Sequence, residues 1–97
     1  MPEFSLSKQA KSDILNVTRF TIDRFGINQA RSYHESMIEC FDALAENPKL
    51  GKTVYYIHQG YRRYNFESHA IFYKIEGQDI LIVRVLHKRM NPPRHLS

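Results

Sequence analysis

Apolar and polar positions along the chain follow two rhythms, one of period near 3.6 in the first half and one closer to two in the second. The opening EFSL alternates just long enough for a strand of about four residues, and Ser7 then offers a hydroxyl suited to a helix N-cap. From Lys8 onward, Ala10, Ile14, Val17, Thr21 and Phe25 recur every three or four residues and form one apolar stripe. Gly26 suits the left-handed position that closes a helix, so the first helix is predicted to end near Phe25. Asn28 is placed to cap a second helix, whose stripe runs through Ala30, Tyr33, Met37, Cys40 or Phe41, and Leu44 before Asn47-Pro48 stops it. A join this short makes an antiparallel helix hairpin.

The second half changes character. Residues 48–60, PKLGKTVYYIHQG, mix turn formers with paired tyrosines and read as a loop with room for a short turn or strand. Then come YRRYNF, HAIFYKI and ILIVRVLH, separated by ES and by EGQD, which predicts three antiparallel strands joined by tight turns. The last is aliphatic from Ile80 to Leu86 apart from Arg84, so it belongs inside a sheet with at least one face covered, by the helix hairpin. The predicted order is β-α-α-β-β-β: an α+β domain over residues 1–97, with a two-helix hairpin packed on one face of an antiparallel sheet. Arg84 in such a strand calls for a helix carboxylate, with Asp42 and Glu39 as the candidates.

Composition narrows the function classes. A chain of 97 residues with 42% hydrophobic and 25% charged residues is an ordinary folded domain. No window approaches the roughly 18 apolar residues of a membrane span, and MPEFSLSKQA lacks the apolar core of a signal peptide, so the expected location is the cytoplasm and no membrane partner is expected. A lone Cys40 on a helical apolar pattern reads as a small buried hydrophobe and fits a reducing compartment. The net charge of +4 is uneven: residues 1–60 carry seven Lys/Arg against seven Asp/Glu, and the whole excess lies in residues 61–97. That half should meet an acidic partner or a polyanion.

Candidate chemistry is sparse. The five histidines and single cysteine show no metal-ligand spacing, and the four glycines form no phosphate-binding loop, so no metal, cofactor or nucleotide site is expected. Ser36 with His34, or Cys40 with a histidine, lacks an elbow and an orienting acid, which argues against a nucleophilic centre. What remains is cationic and aromatic: Arg62, Arg63, Tyr61 and Tyr64 on one strand, His69 and Tyr73 on the next, and Arg84, His87, Lys88 and Arg89 on and after the last. Such groups can hold a phosphodiester, donate protons in a metal-free ribonuclease, or bind a protein or nucleic acid. Hanging the basic run directly on a buried strand, stiffened by Pro92-Pro93, aims it in a definite direction.

The helix openings LS…A…DI and FG…QA…Y, the segment LAENPKLGK, and above all GYRRYNFESHAIFYKI and ILIVRVLHKRMNPPRHL, in that order and over nearly the whole chain, resemble the ParE toxins within the wider RelE/ParE superfamily. The resemblance implies the same β-α-α-β-β-β fold and a growth-arresting toxin neutralised by a ParD-like antitoxin. For the ParE branch it implies DNA gyrase as target, so that the toxin is a protein inhibitor and not an enzyme, with DNA bound only through the antitoxin complex. The RelE branch instead cuts mRNA on the ribosome, and typically places an arginine three positions before the tyrosine of the penultimate strand and a tyrosine in its tail. This chain has Ala70 at the first place and no tyrosine after Tyr73, although Arg89 and Arg62 align with basic residues of that branch. Without those groups the site lacks most of the general acid and charge stabilisation that cleavage needs. The readings in play are a gyrase poison, a ribosome-dependent ribonuclease, and a ParE-like binding module without toxicity. The expected target contacts are His87, Lys88, Arg89, Met90, Arg94, Arg62 and Arg63. The expected antitoxin contacts are apolar residues off the main stripes, Leu15, Phe20, Ile22 and Ile38, onto which an acidic amphipathic tail would fold, together with a sheet edge.

Overall fold

The structure, a computed structural model, describes residues 1–90. Its elements are β1 (Phe4–Leu6), α1 (Lys8–Phe25), α2 (Ile27–Glu46), β2 (Lys52–Thr53), β3 (Tyr61–Phe66), β4 (His69–Glu76) and β5 (Asp79–His87). The α+β class, the helix hairpin and the three-strand succession follow the expected order. Two features go beyond it. β1 pairs with β5 in parallel, which makes the sheet mixed, and β2 adds a two-residue edge, giving the order β1-β5-β4-β3-β2. Among the described residues no helix is long and apolar enough to cross a membrane.

Ser7 joins three elements. Its N–H donates to the Ile82 carbonyl at 2.9 Å and extends the β1 pairing by one step, while its Oγ accepts from the Ala10 N–H at 2.9 Å and caps α1. The same hydroxyl donates to the Val83 carbonyl at 2.7 Å. Between the helices Gly26 is the whole joint: with φ of +91° it closes α1 through Ile22 and opens α2 through Ala30. Asn28 therefore lies inside α2 and caps nothing, because one glycine in the positive-φ region turns the chain without needing the extra residues.

The two helices cover one face of the sheet, where Ala10, Ile14, Met37, Phe41, Leu44, Ile71, Tyr73, Ile80, Ile82 and Val85 form the main core. Of the expected stripe residues, Phe25 stands apart at 66% exposure in the last turn of α1, and Cys40 is half-buried beside the fully buried Phe41. Burial pushes the Cys40 thiol up to about 11, so it stays a neutral packing group. The outer face is covered in part as well: Val54, Ala70, Phe72 and Leu86 make a smaller cluster against which Ile57 and Tyr61 pack.

β1 stops after pairing Leu6 with Ile82, and a bulge between Phe72 and Tyr73 leaves Val83 as an extra residue on β5. From there α1 takes over the strand's edge. Asp13 accepts from the Val85 N–H at 2.9 Å and takes both Nε and Nη2 of Arg84, at 2.8 and 2.9 Å. This corrects the expected pairing of Arg84 with Asp42 or Glu39: the bulge turns the guanidinium sideways toward α1, and the carboxylate that meets it is on the first helix. Both side chains are largely buried, at 16% and 11% exposure, and the carboxylate hydrogen bond raises the Arg84 pKa, so the guanidinium stays charged.

Tyr73, wholly buried, fixes the loop after α2. Its hydroxyl donates to the Pro48 carbonyl and accepts from the Gly51 N–H, both at 2.8 Å. A side chain at Gly51 would run into that ring, so glycine is required there by space.

Replacing Asp13 by Ala removes two hydrogen bonds to the largely buried Arg84 guanidinium and the acceptor of the Val85 N–H. The expected cost is about 3 kcal/mol in urea unfolding, or roughly 15 °C in Tm. A loss under about 1 kcal/mol would mean that the contact is solvated and not structural.

Candidate functional site

The cationic run begins on a rigid base. β5 lies between β1 and β4, and its last residue, His87, sits directly across from His69. The chain then turns under three hydrogen bonds: the Lys88 N–H to the Ser68 carbonyl at 3.0 Å, the Met90 N–H to the His87 carbonyl at 2.9 Å, and the Arg89 N–H to His87 Nδ1 at 3.1 Å. Because Nδ1 accepts, the neutral imidazole carries its proton on Nε2. His87 therefore offers an N–H donor beside the exposed Lys88 and Arg89, with Met90 also exposed. Arg94 lies outside the described residues.

Behind this turn is an aromatic support that the sequence reading did not anticipate. The Tyr33 hydroxyl meets His69 Nδ1 at 2.7 Å, and the His69 and His87 rings pack edge to face with centroids 5.6 Å apart. Phe66 packs on Tyr33 at 5.4 Å. Burial raises the Tyr33 pKa; the Ser68 backbone lowers it again in part, and the Glu67 charge adds to the rise. Burial lowers the His69 pKa, and His87 beside it lowers it further. Their bond is accordingly one between neutral groups, and it ties α2 to the end of the sheet that carries the cations. The sequence showed its members separately, Tyr33 on the second helical stripe and His69 and His87 on their strands, without the contact between them.

Arg62 and Arg63 are not brought to this turn. Being adjacent on β3, they point to opposite faces. Arg62 donates from Nη1 to the Gly51 carbonyl at 2.6 Å and so joins Tyr73 in fixing the loop. Arg63 lies on the outer face, its Cζ over the Phe72 ring at 5.5 Å and its Nε donating to Asn65 Oδ1 at 2.9 Å.

The helix residues divide in a similar way. Leu15 and Ile22 line a groove of about 510 Å³ between α1 and α2, together with Ile14, Thr18, Ile27 and Ala30. Its rim carries Lys11, Arg31 and His34, so the groove is apolar with a cationic edge. Phe20 is exposed but lies outside the groove, with the Arg24 guanidinium over its ring at 5.5 Å. Ile38 packs against the main core.

Two positions bear on the ribonuclease reading: Ala70 is buried within the outer cluster, and the Tyr73 hydroxyl is engaged by Pro48 and Gly51. Burial is the largest influence on Tyr73 and raises its pKa, against the opposing Gly51 N–H and Arg62 charge. Among the described residues there is no group of three or more His, Cys, Asp or Glu placed to hold a metal ion.

Comparison with known proteins gives one consistent answer. A family model described as "ParE toxin of type II toxin-antitoxin system, parDE" matches residues 4–92. Toxin ParE1 of Mycobacterium tuberculosis is 35% identical over 94 residues, 96% of either chain. Toxin ParE1 of Caulobacter vibrioides is 34% identical over 97 residues, the full length of both. Among solved structures, a chain from the chromosomal ParDE TA system of P. aeruginosa superposes with a TM-score of 0.75 over 90% of this chain and 96% of that one. At 17% identity that likeness shows the shared fold.

The half-buried His69 sets a pH dependence. Its folded pKa lies below the unfolded value of about 6.5, so the stability it contributes is complete above that pH and is lost as the pH falls toward the folded pKa. The wild-type Tm should decline as the pH falls through about 6.5, the unfolded value. His69→Gln should lower Tm at neutral pH by removing the Tyr33 contact and should flatten the decline; an equally steep decline in the variant would assign it to other groups.

Proposed function

The chain belongs to the ParE toxin family of type II toxin–antitoxin systems, and from that premise we propose that it arrests growth by poisoning DNA gyrase and is held inactive by a ParD-like antitoxin. The observation that carries the reading is the geometry of residues 87–90: an N–H donor, two exposed cations and an exposed methionine on a turn tied to the sheet by hydrogen bonds. A fixed projecting group suits insertion into a larger protein, because little conformational freedom remains to be lost on docking. On the turn His87 Nδ1 is occupied by the Arg89 N–H, so in this tautomer the imidazole presents a donor and no free basic nitrogen. That supports an inhibitor over an enzyme and disfavours RNA cleavage, as does the engagement of the Tyr73 hydroxyl.

The antitoxin reading rests on the other surface. The groove between α1 and α2 is apolar in its floor and cationic at its rim, which fits an amphipathic segment with acidic flanks folding on contact. Leu15 and Ile22 are the floor residues on which its apolar face would rest; Phe20 extends the same apolar surface beyond the groove. The complex would act in the cytoplasm, and DNA contact by the complex would come from the antitoxin.

Two measurements test this. With purified gyrase, relaxed plasmid and ATP, the protein should cut supercoiling and yield linear DNA, the antitoxin should reverse the effect, and Lys88→Ala/Arg89→Ala should abolish it with antitoxin affinity kept. Full toxicity of that double variant in cells would sink the target assignment. By calorimetry, Leu15→Asp/Ile22→Asp should weaken antitoxin binding by at least about tenfold, given the ~1.5–3 kcal/mol that burial of each side chain contributes. Unchanged affinity would move the antitoxin elsewhere.

A further inference from the structure

Between Glu46 and Glu67 the sequence contains no acidic residue, and in those twenty positions it places four Lys/Arg, His58, four tyrosines and Phe66. The fold concentrates part of this at the β2–β3 end of the sheet. Lys52 pairs with Arg63, which in turn pairs with Phe72, so the two cations stand side by side on the outer face. Beyond them the chain closes a tight turn through the Ile57 and His58 N–H groups, both donating to the Val54 carbonyl, at 2.8 and 3.0 Å. Val54 and Ile57 anchor that turn in the outer cluster. The turn is thus pinned, yet Tyr55 and Tyr56 are each 75% exposed, their rings edge to face at 6.0 Å. Beside them the exposed His58 ring lies flat on Tyr61, with centroids 4.2 Å apart and planes within 15°.

Large aromatic faces held in water by an anchored turn serve no core. Set among cations, with the one carboxylate of neighbouring β4, Glu76, held at 3.4 Å by Lys74, the partner of Tyr61 across the strands, they match the two demands of an unpaired polynucleotide: rings on which bases stack, and positive charge along the phosphates. We propose that Lys52, Tyr55, Tyr56, His58, Tyr61 and Arg63 form a binding surface for a single-stranded nucleic acid segment. Bases stack on Tyr55, Tyr56 and the His58–Tyr61 pair, while Lys52 and Arg63 hold the backbone. A duplex keeps its base faces covered and gains only the phosphate contacts, so the surface discriminates for unpaired strand. Its residues on β3, Tyr61 and Arg63, lie about 17 and 10 Å along the strand from Phe66, which pairs with His69, and the surface does not depend on the reading of residues 87–90.

Fluorescence anisotropy with labelled single strands of roughly 15 nucleotides, one DNA and one RNA, and the matching DNA duplex tests this at about 50 and 200 mM salt. The wild type should bind the single strands more tightly than the duplex. Tyr55→Ala/Tyr56→Ala should weaken single-strand binding by about tenfold or more and leave the duplex nearly unchanged, as expected for lost stacking. Both side chains are exposed, so the variant should keep the wild-type melting temperature. Lys52→Glu, on the exposed edge strand, is the independent variant: it should weaken both forms and reduce the salt slope. Tighter binding of the RNA or of the DNA supports the surface in either case and assigns its natural source. No preference for single strands, an unaltered affinity in both variants, or a loss confined to antitoxin binding would overturn the proposal, the last by making this a protein-docking face.

Discussion

The carboxylate of Asp13 is the contact on which the arrangement of layers depends. β1 covers the edge of β5 only as far as Leu6 and Ile82, and beyond that point the strand would present its backbone to whatever lay beside it. Asp13 supplies what a longer β1 would have supplied, an acceptor for the Val85 N–H, and adds the paired oxygens that the bulged Arg84 requires. One side chain thereby closes a sheet edge, neutralises a buried cation and fixes the register of α1 on β5. Neither ionic partner would be tolerated there alone, since an unpaired buried charge costs several kcal/mol.

What this holds in place is direction. β5 cannot slip without moving Arg84 off Asp13, so the residues that follow it leave the sheet along a set line. Behind them the Tyr33–His69–His87 contacts fill the corner between α2 and the sheet, and the three hydrogen bonds of residues 88–90 complete the turn. Rigidity of this kind adds no affinity by itself. It reduces what must be ordered when a partner binds, and a short cationic projection has little else to offer.

Much of this was legible in the chain, and the parts that were not share a cause. Helix periodicity placed α1 and α2 nearly to the residue because each stripe extends over four or five turns and survives one ambiguous position, such as Cys40 against Phe41. The aliphatic run from Ile80 to Leu86 located the interior strand for the same reason. Pairing between distant segments left no such mark. Nothing in EFSL says whether it joins β5 parallel or antiparallel, and nothing near Arg84 says that a bulge will turn it toward Asp13, 71 residues earlier. Arg62 and Arg63 read as one basic patch although the period of a strand separates them by a whole sheet thickness of chemistry, one tied to Gly51 and the other stacked on Phe72. For Ile38 the helical stripe was drawn too narrowly, since the sheet below α2 is wide enough to reach it.

The same geometry bears on how one small domain meets two partners. The support of the projecting turn begins on α2, one of the two helices that line the groove. Its rim includes His34, and the residue before it, Tyr33, reaches through the hairpin to His69 and so to His87. A segment seated in the groove near Ala30 and His34 is therefore one side chain removed from the support of the cationic turn. Acidic groups that suit Lys11 and Arg31 in the groove would also suit the exposed Lys88 and Arg89 on the turn. The two surfaces thus share one sign of charge, although they are built from different elements, one from the helix hairpin and the other from the end of β5.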